Sequence, residues 1–101
     1  MNMQQMMMQA QKMQREIQKK TEELHKKEFS VVKNGVVTVR MTGDKVMQEL
    51  TVAEDCFNKE DKEMVEEMIM MAIDEIIAKI NAEEDAIQEQ VTGRSGGMMG
   101  F

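Results

Sequence analysis

The stretch that decides the fold is NKEDKEMVEEMIMMAIDEIIAKINAEEDAIQEQV, Asn58 to Val91. It reads as one long helix. Asn58 is placed to cap it, and Asp61 three residues on makes a variant of the reciprocal capping box. Glu60, Asp61, Glu63, Glu66 and Glu67 crowd the first turns, where carboxylates suit the positive end of the helix dipole. Val65, Ile69, Ala72, Ile76, Ile80 and Ile87 fall at helical spacing and share one face. Between Met68 and Ile73, however, the run MIMMAI is apolar all the way round, and such a helix is normally covered on every side. A chain of 101 residues has little of its own to cover both faces. A partner subunit is therefore expected against Met68, Ile69, Met71, Ala72, Ile73 and Ile76. Gly93 closes the helix, and a glycine-rich tail follows it.

Upstream of that helix the period changes from helical to alternating. Phe29 to Lys33 reads as a strand, Asn34-Gly35 is a strong hairpin signal, and Val36 to Met41 is the returning strand. Thr42-Gly43-Asp44 makes a second turn, and Val46 to Val52 a third strand with Val46, Leu50 and Val52 on one face. Further upstream, from about Met3 to Lys27, Met3, Met6, Ala10, Met13, Ile17 and Leu24 line one side of a first helix. Met3, Ala10, Ile17 and Leu24 lie seven apart, as in a coiled-coil seam.

These elements predict an α+β fold: helix, three-stranded antiparallel meander, long helix (α-β-β-β-α), with one helix face covering the sheet. Residues 1–92 form one domain and 93–101 a flexible Gly/Met-rich tail. At the standard rise the two helices span roughly 37 and 50 Å, more than the sheet requires. The surplus is expected to project, so that a dimer would carry arms.

Composition narrows the function. The chain has fourteen Met and no Trp, Tyr or Pro, so its apolar volume is adaptable and nothing interrupts long helices. One cysteine, Cys56, excludes an intrachain disulfide. No run approaches the roughly 18 apolar residues of a membrane span, and no secretory leader is recognisable. A soluble cytoplasmic protein is expected. The net charge of −6 hides a segregation: residues 1–45 carry nine Lys/Arg against five Asp/Glu, and residues 46–101 four against fourteen. Half of an acidic protein is basic.

The basic half has a pattern. Lys12, Arg15, Lys19 and Lys26 fall within an arc of about 60° on the side of the first helix opposite its apolar seam. Lys20 and Lys27 accompany them, and Lys33, Arg40 and Lys45 on the meander are weaker candidates. Cations so spaced could follow a line of DNA phosphates and release their counterions. A lysine-rich outer face can also simply keep a helix in water. Gln9, Gln11, Gln14 and Gln18 could read adenine edges, but glutamine is also a good exposed helix former. Phosphate contacts with weak specificity are the expectation.

No chemistry of another kind is indicated. Met3, Met6, Met13, Met64, Met68 and Met71 could in principle hold copper(I), but their periodicity marks them as packing residues. His25 and Cys56 are the only residues of their types and lack a third ligand or a base. No phosphate-binding loop is present. No enzyme, metal or cofactor is expected.

Taken together, MMMQAQKMQREIQ (Met6 to Gln18), EDKEMVEEMIMMAIDEI (Glu60 to Ile76), Gly35 before a Val-rich strand, Gly43 in the next turn and the Gly/Met-rich tail resemble the YbaB/EbfC family of bacterial nucleoid-associated DNA-binding proteins. The resemblance runs the length of the chain. It departs where the glycine-rich approach to the second strand is reduced to Asn34-Gly35, where the tail lacks proline, and in the Met-rich opening. It implies a tweezer-shaped homodimer with protruding helices that binds double-stranded DNA with little sequence preference. A role in nucleoid organisation and gene regulation is implied as well. The alternative is a coiled-coil module that holds protein partners along the Met3-to-Leu24 seam and does not touch DNA.

Overall fold

The computed structural model describes residues 2–93; the expected tail lies, beyond Gly93, outside the described residues. Helix α1 (Met3–Lys26) starts where the Asn2 side chain accepts the Gln5 N–H at 2.7 Å. It runs on helix-favouring Met, Gln, Lys and Glu residues and stops when the chain turns extended at Lys27. Strands β1 (Glu28–Lys33), β2 (Val37–Thr42) and β3 (Met47–Val52) form an antiparallel sheet in the order β1-β2-β3. A 3-10 turn (Glu54–Cys56) leads to helix α2 (Lys62–Thr92).

The hairpin forms for the reason its sequence suggests. Asn34 and Gly35 both take positive φ (51° and 68°), as a type I′ turn requires, and the Val36 N–H donates to the Lys33 carbonyl at 2.8 Å. Val36 is thus a turn residue, and β2 opens one residue later than expected. Val31 pairs with Val39 and Phe29 with Met41, so period-two alternation puts Phe29, Val31, Val37, Val39 and Met41 on one face. Ala72, Ile76 and Ile80 of α2 meet that face, and Leu24 of α1 closes its end. Ile76, Ile80, Val37 and Val39 are fully buried, each stabilising the fold by about 1.5–3 kcal/mol through removal from water.

Three expectations need correction. The long helix begins at Lys62, not immediately after Asn58, because residues 58–61 close a separate turn first. In that turn the Asn58 side chain accepts the Asp61 N–H at 2.8 Å and donates to the Asp61 carboxylate at 2.9 Å. Only the forward half of the anticipated capping box, the Asn58 side chain on the Asp61 N–H, is made, and it lies one turn ahead of the helix. Second, α2 does not cover the whole sheet. It packs on β1 and β2 and leaves β3 largely open: Leu50, although its partner Val39 is buried, stays 49 % exposed. Third, Val46 lies in the turn before β3, its carbonyl accepting the Thr42 N–H at 3.0 Å.

α1 and α2 lie side by side and antiparallel, with Lys27 against Glu83 and Lys20 against Gln90. At equal rise α2 ends beside about Ile17. The outer turns of α1 therefore extend past the body, and the described chain measures 68 × 28 × 14 Å.

Candidate nucleic-acid interface

Helix α1 places the six basic candidates in two groups. Lys20 and Lys27 face the groove with α2. The Lys27 ammonium lies 2.8 and 2.9 Å from the two Glu83 carboxylate oxygens and 5.2 Å from the Phe29 ring centre, and the Lys20 ammonium lies 3.4 Å from the Gln90 side-chain oxygen. These two dock the helix. Lys12, Arg15, Lys19 and Lys26 are exposed and have no side-chain polar partner among the described residues. Glu22 and Glu23 flank Lys26, whereas residues 3–15 contain no acid. The outer part of α1 is thus the positive part, and its unopposed N-terminal dipole has the same sign.

The three weaker candidates on the meander are neutralised. Arg40 bridges Glu28 at 2.6 Å and Glu49 at 3.1 Å, Lys33 binds Glu75, and Lys45 approaches Glu84 at 4.0 Å. Hydrogen bonds donated to Glu28 and Glu49 raise the Arg40 pKa above its ordinary value. Hydrogen bonding from Lys33 holds the Glu75 carboxyl below the usual glutamate range, and bonds from Thr51 and Arg40 do the same for Glu49. Glu75, Glu83 and Glu84 of the acidic half are therefore engaged by the chain's own cations and do not stand across from the α1 stripe. Much of the remaining acid, from Glu54 to Glu67, lies in the 3-10 turn, the turn after it and the first turns of α2, far from the arm.

The proposed subunit-contact residues also divide. Ala72 and Ile76 are fully buried by the chain's own sheet and offer no surface. Met68, Ile69 and Ile73 are half-buried against the core, and Met71 is 56 % exposed. The apolar face of β3 was expected at Val46, Leu50 and Val52; that Met47 shares it and that it lies open at Met47 and Leu50 was not. Its alternation marks an apolar face but not whether a helix reaches it.

His25 stands in the last turn of α1, and Cys56 ends the 3-10 turn. Burial, with the Asp55 and Asp61 charges, pushes the Cys56 thiol above its ordinary pKa. Among the described residues no three His, Cys, Asp or Glu side chains converge to hold a metal ion, and no helix is long and apolar enough to cross a membrane.

A thin α+β subunit with a cationic helix reaching beyond its body has the form of a small nucleic-acid-binding protein. The chain belongs to the YbaB/EbfC DNA-binding family, whose family model matches residues 1–96. It is 41% identical over 101 residues to a nucleoid-associated protein of Enterococcus faecalis, covering 99% of this chain and 94% of that one. It is 42% identical over 98 residues to a nucleoid-associated protein of Clostridium botulinum (strain Hall), covering 96% and 84%. An uncharacterized protein from Helicobacter pylori shares the fold at 17% identity, with a TM-score of 0.77 over 91% of this chain and 98% of that one.

Proposed function

We propose that this protein binds double-stranded DNA as a homodimer, with little sequence preference, through the outer part of α1. Lys12, Arg15 and Lys19, extended by Lys26, contact phosphates; Lys20 and Lys27 hold the helix to α2. The observation that carries this reading is the set of unpaired cations on a projecting helix, in a chain that pairs most of its other cations with its own acids. Helical spacing along a straight element suits a phosphate strand, and phosphate contacts carry no base information. The uncovered β3 face supports the dimer, because an exposed apolar sheet face with Met47 and Leu50 invites burial. The relatives named nucleoid-associated proteins support a place on the bacterial nucleoid, in the cytoplasm, and a part in its organisation and in gene regulation.

The test is a mobility-shift titration of random-sequence duplex across a salt series, with the K12Q/R15Q/K19Q variant beside the parent. Affinity should fall steeply with salt, and the variant's log–log slope should be shallower by about 2.7, three contacts at about 0.9 each. A folded variant with unchanged affinity would remove these residues from the site. The open Met3, Met6 and Ala10 seam favours a second reading, an arm for protein partners. Pull-down partners that survive nuclease, together with no DNA shift at low salt, would select it.

A further inference from the structure

The apolar seam of α1 loses its cover partway along. Leu24 is buried, Ile17 and Met13 are half-buried, and from Ala10 outward the seam is open. Periodicity marks Met3 and Met6 as packing residues, yet among the described residues nothing buries them. Met3 is 78 % exposed, Met6 56 % and Met7 58 %. Three thioethers thus stand uncovered within an arc of about 100° on the first two turns of the arm. Those turns are tied down. The Asn2 side chain accepts the Gln5 N–H at 2.7 Å, and the Asn2 carbonyl accepts the Met6 N–H at 3.1 Å.

We propose that Met3, Met6 and Met7 form a site for a soft monovalent cation, copper(I), held by their three thioether sulfurs. Met6 and Met7 follow Met3 by three and four residues, so each is its neighbour on the helix surface, with Cβ atoms about 5–6 Å apart. Helical side chains lean toward the N-terminus, so both lean over the turn that carries Met3. Three rotatable bonds let each sulfur swing toward a shared ion, and an unpacked side chain is free to use them.

The surroundings set the selectivity. Residues 3–15 contain no carboxylate, imidazole or thiol, the donors that hold zinc, magnesium or calcium. Neutral thioethers are soft donors and select copper(I) instead. The positive end of the helix dipole disfavours any cation there, and a doubly charged one most. Lys12 and Arg15 lie on the opposite side of the helix, so a single positive charge on the seam meets little further repulsion. Metal site and cationic stripe therefore occupy different sides of one helix, and the inference does not depend on DNA binding.

The experiment uses the full chain as C56S, so that the thiol does not compete, with methyl-labelled methionine and without oxygen. Silver(I), a diamagnetic probe of the same charge and softness, should move the Met3, Met6 and Met7 methyl signals and spare those of Met70 and Met71. Zinc(II) should move none of them. Copper(I) affinity is read by competition with a coloured copper(I) chelator. M3L/M6L/M7L keeps apolar, helix-favouring side chains and should weaken copper(I) binding by more than about tenfold, since loss of even a ligand's support costs that much. Its sheet amide signals should stay in place. No silver(I) shift, shifts confined to other methionines or to His25, an equal response to zinc(II), or unchanged copper(I) affinity in the triple variant would overturn the proposal.

Discussion

Gly43 lies so close to Leu24 that a Cβ at position 43 would stand 1.8 Å from the Leu24 carbonyl oxygen. The approach is held by the Gly43 N–H, which donates to the Lys27 carbonyl at 2.9 Å. The β2–β3 turn is thereby fastened to the last turn of α1, setting where the helix leaves the body. The obstructing atom is backbone and cannot rotate aside. Gly43→Ala should therefore destabilise the fold by about 3 kcal/mol, as severe overpacking does, read as a lowered urea midpoint. A variant of parental stability would show that α1 can shift freely at this junction.

The two sides of the sheet should respond differently to substitution. Ile76→Ala opens a cavity in the buried core and should cost about 2–5 kcal/mol of unfolding free energy. Leu50→Lys, on the uncovered β3 face, should leave the fold intact and convert the proposed dimer to monomer in sedimentation equilibrium. A Leu50→Lys protein that remains dimeric would put the subunit contact elsewhere.

Paired and unpaired cations should separate in binding. K33Q/R40Q/K45Q removes as many positive charges as the α1 triple variant, yet these three are already engaged by Glu75, by Glu28 and Glu49, and by Glu84. Its salt slope for DNA should stay near the parental one, while its thermal midpoint falls. Equal slopes in the two triple variants would mean that net charge, not position, drives binding.

Acid should loosen the sheet's edges. Glu75 and Glu49 have folded pKa values below the ordinary glutamate value of 4.5. A depressed carboxylate contributes stability that is fully present above its unfolded value and is lost as pH falls through the folded one. The thermal midpoint should therefore decline below about pH 4.5, and E75Q should decline less steeply because it has one fewer proton to take up. Parallel curves would assign the acid sensitivity to other groups.

The raised pKa of Cys56 has a kinetic signature. Little thiolate forms at neutral pH, so alkylation should be slow in the folded protein. Asp55→Asn removes a neighbouring negative charge and should quicken it, as followed by mass spectrometry.

Periodicity alone carried much of the architecture. The seven-residue seam of α1, the alternation of Phe29-Val31 and Val37-Val39-Met41, Asn34-Gly35 and the Ala72-Ile76-Ile80 face each specify a local structure, because side-chain direction follows directly from backbone repeat. The segregation of charge was legible for the same reason. The boundaries that moved, at Val36, Val46 and Asn58, lie where a turn and an element compete for the same residues, and hydrogen bonds within the turns, to Lys33, Thr42 and Asp61, decide between them. Val36 is held by both Lys33 and Ala53.

Only the tertiary structure decided which charges are free and which apolar faces are covered. Lys27 and Lys26 are neighbours in sequence, yet one meets Glu83 and the other has no ion pair among the described residues. Leu50 and Val39 pair across strands, yet one is exposed and the other buried, because α2 crosses only two of the three strands. Residue type and spacing determine what a side chain can offer. Whether the offer is taken depends on which remote segment arrives beside it, and that is a property of the packed chain.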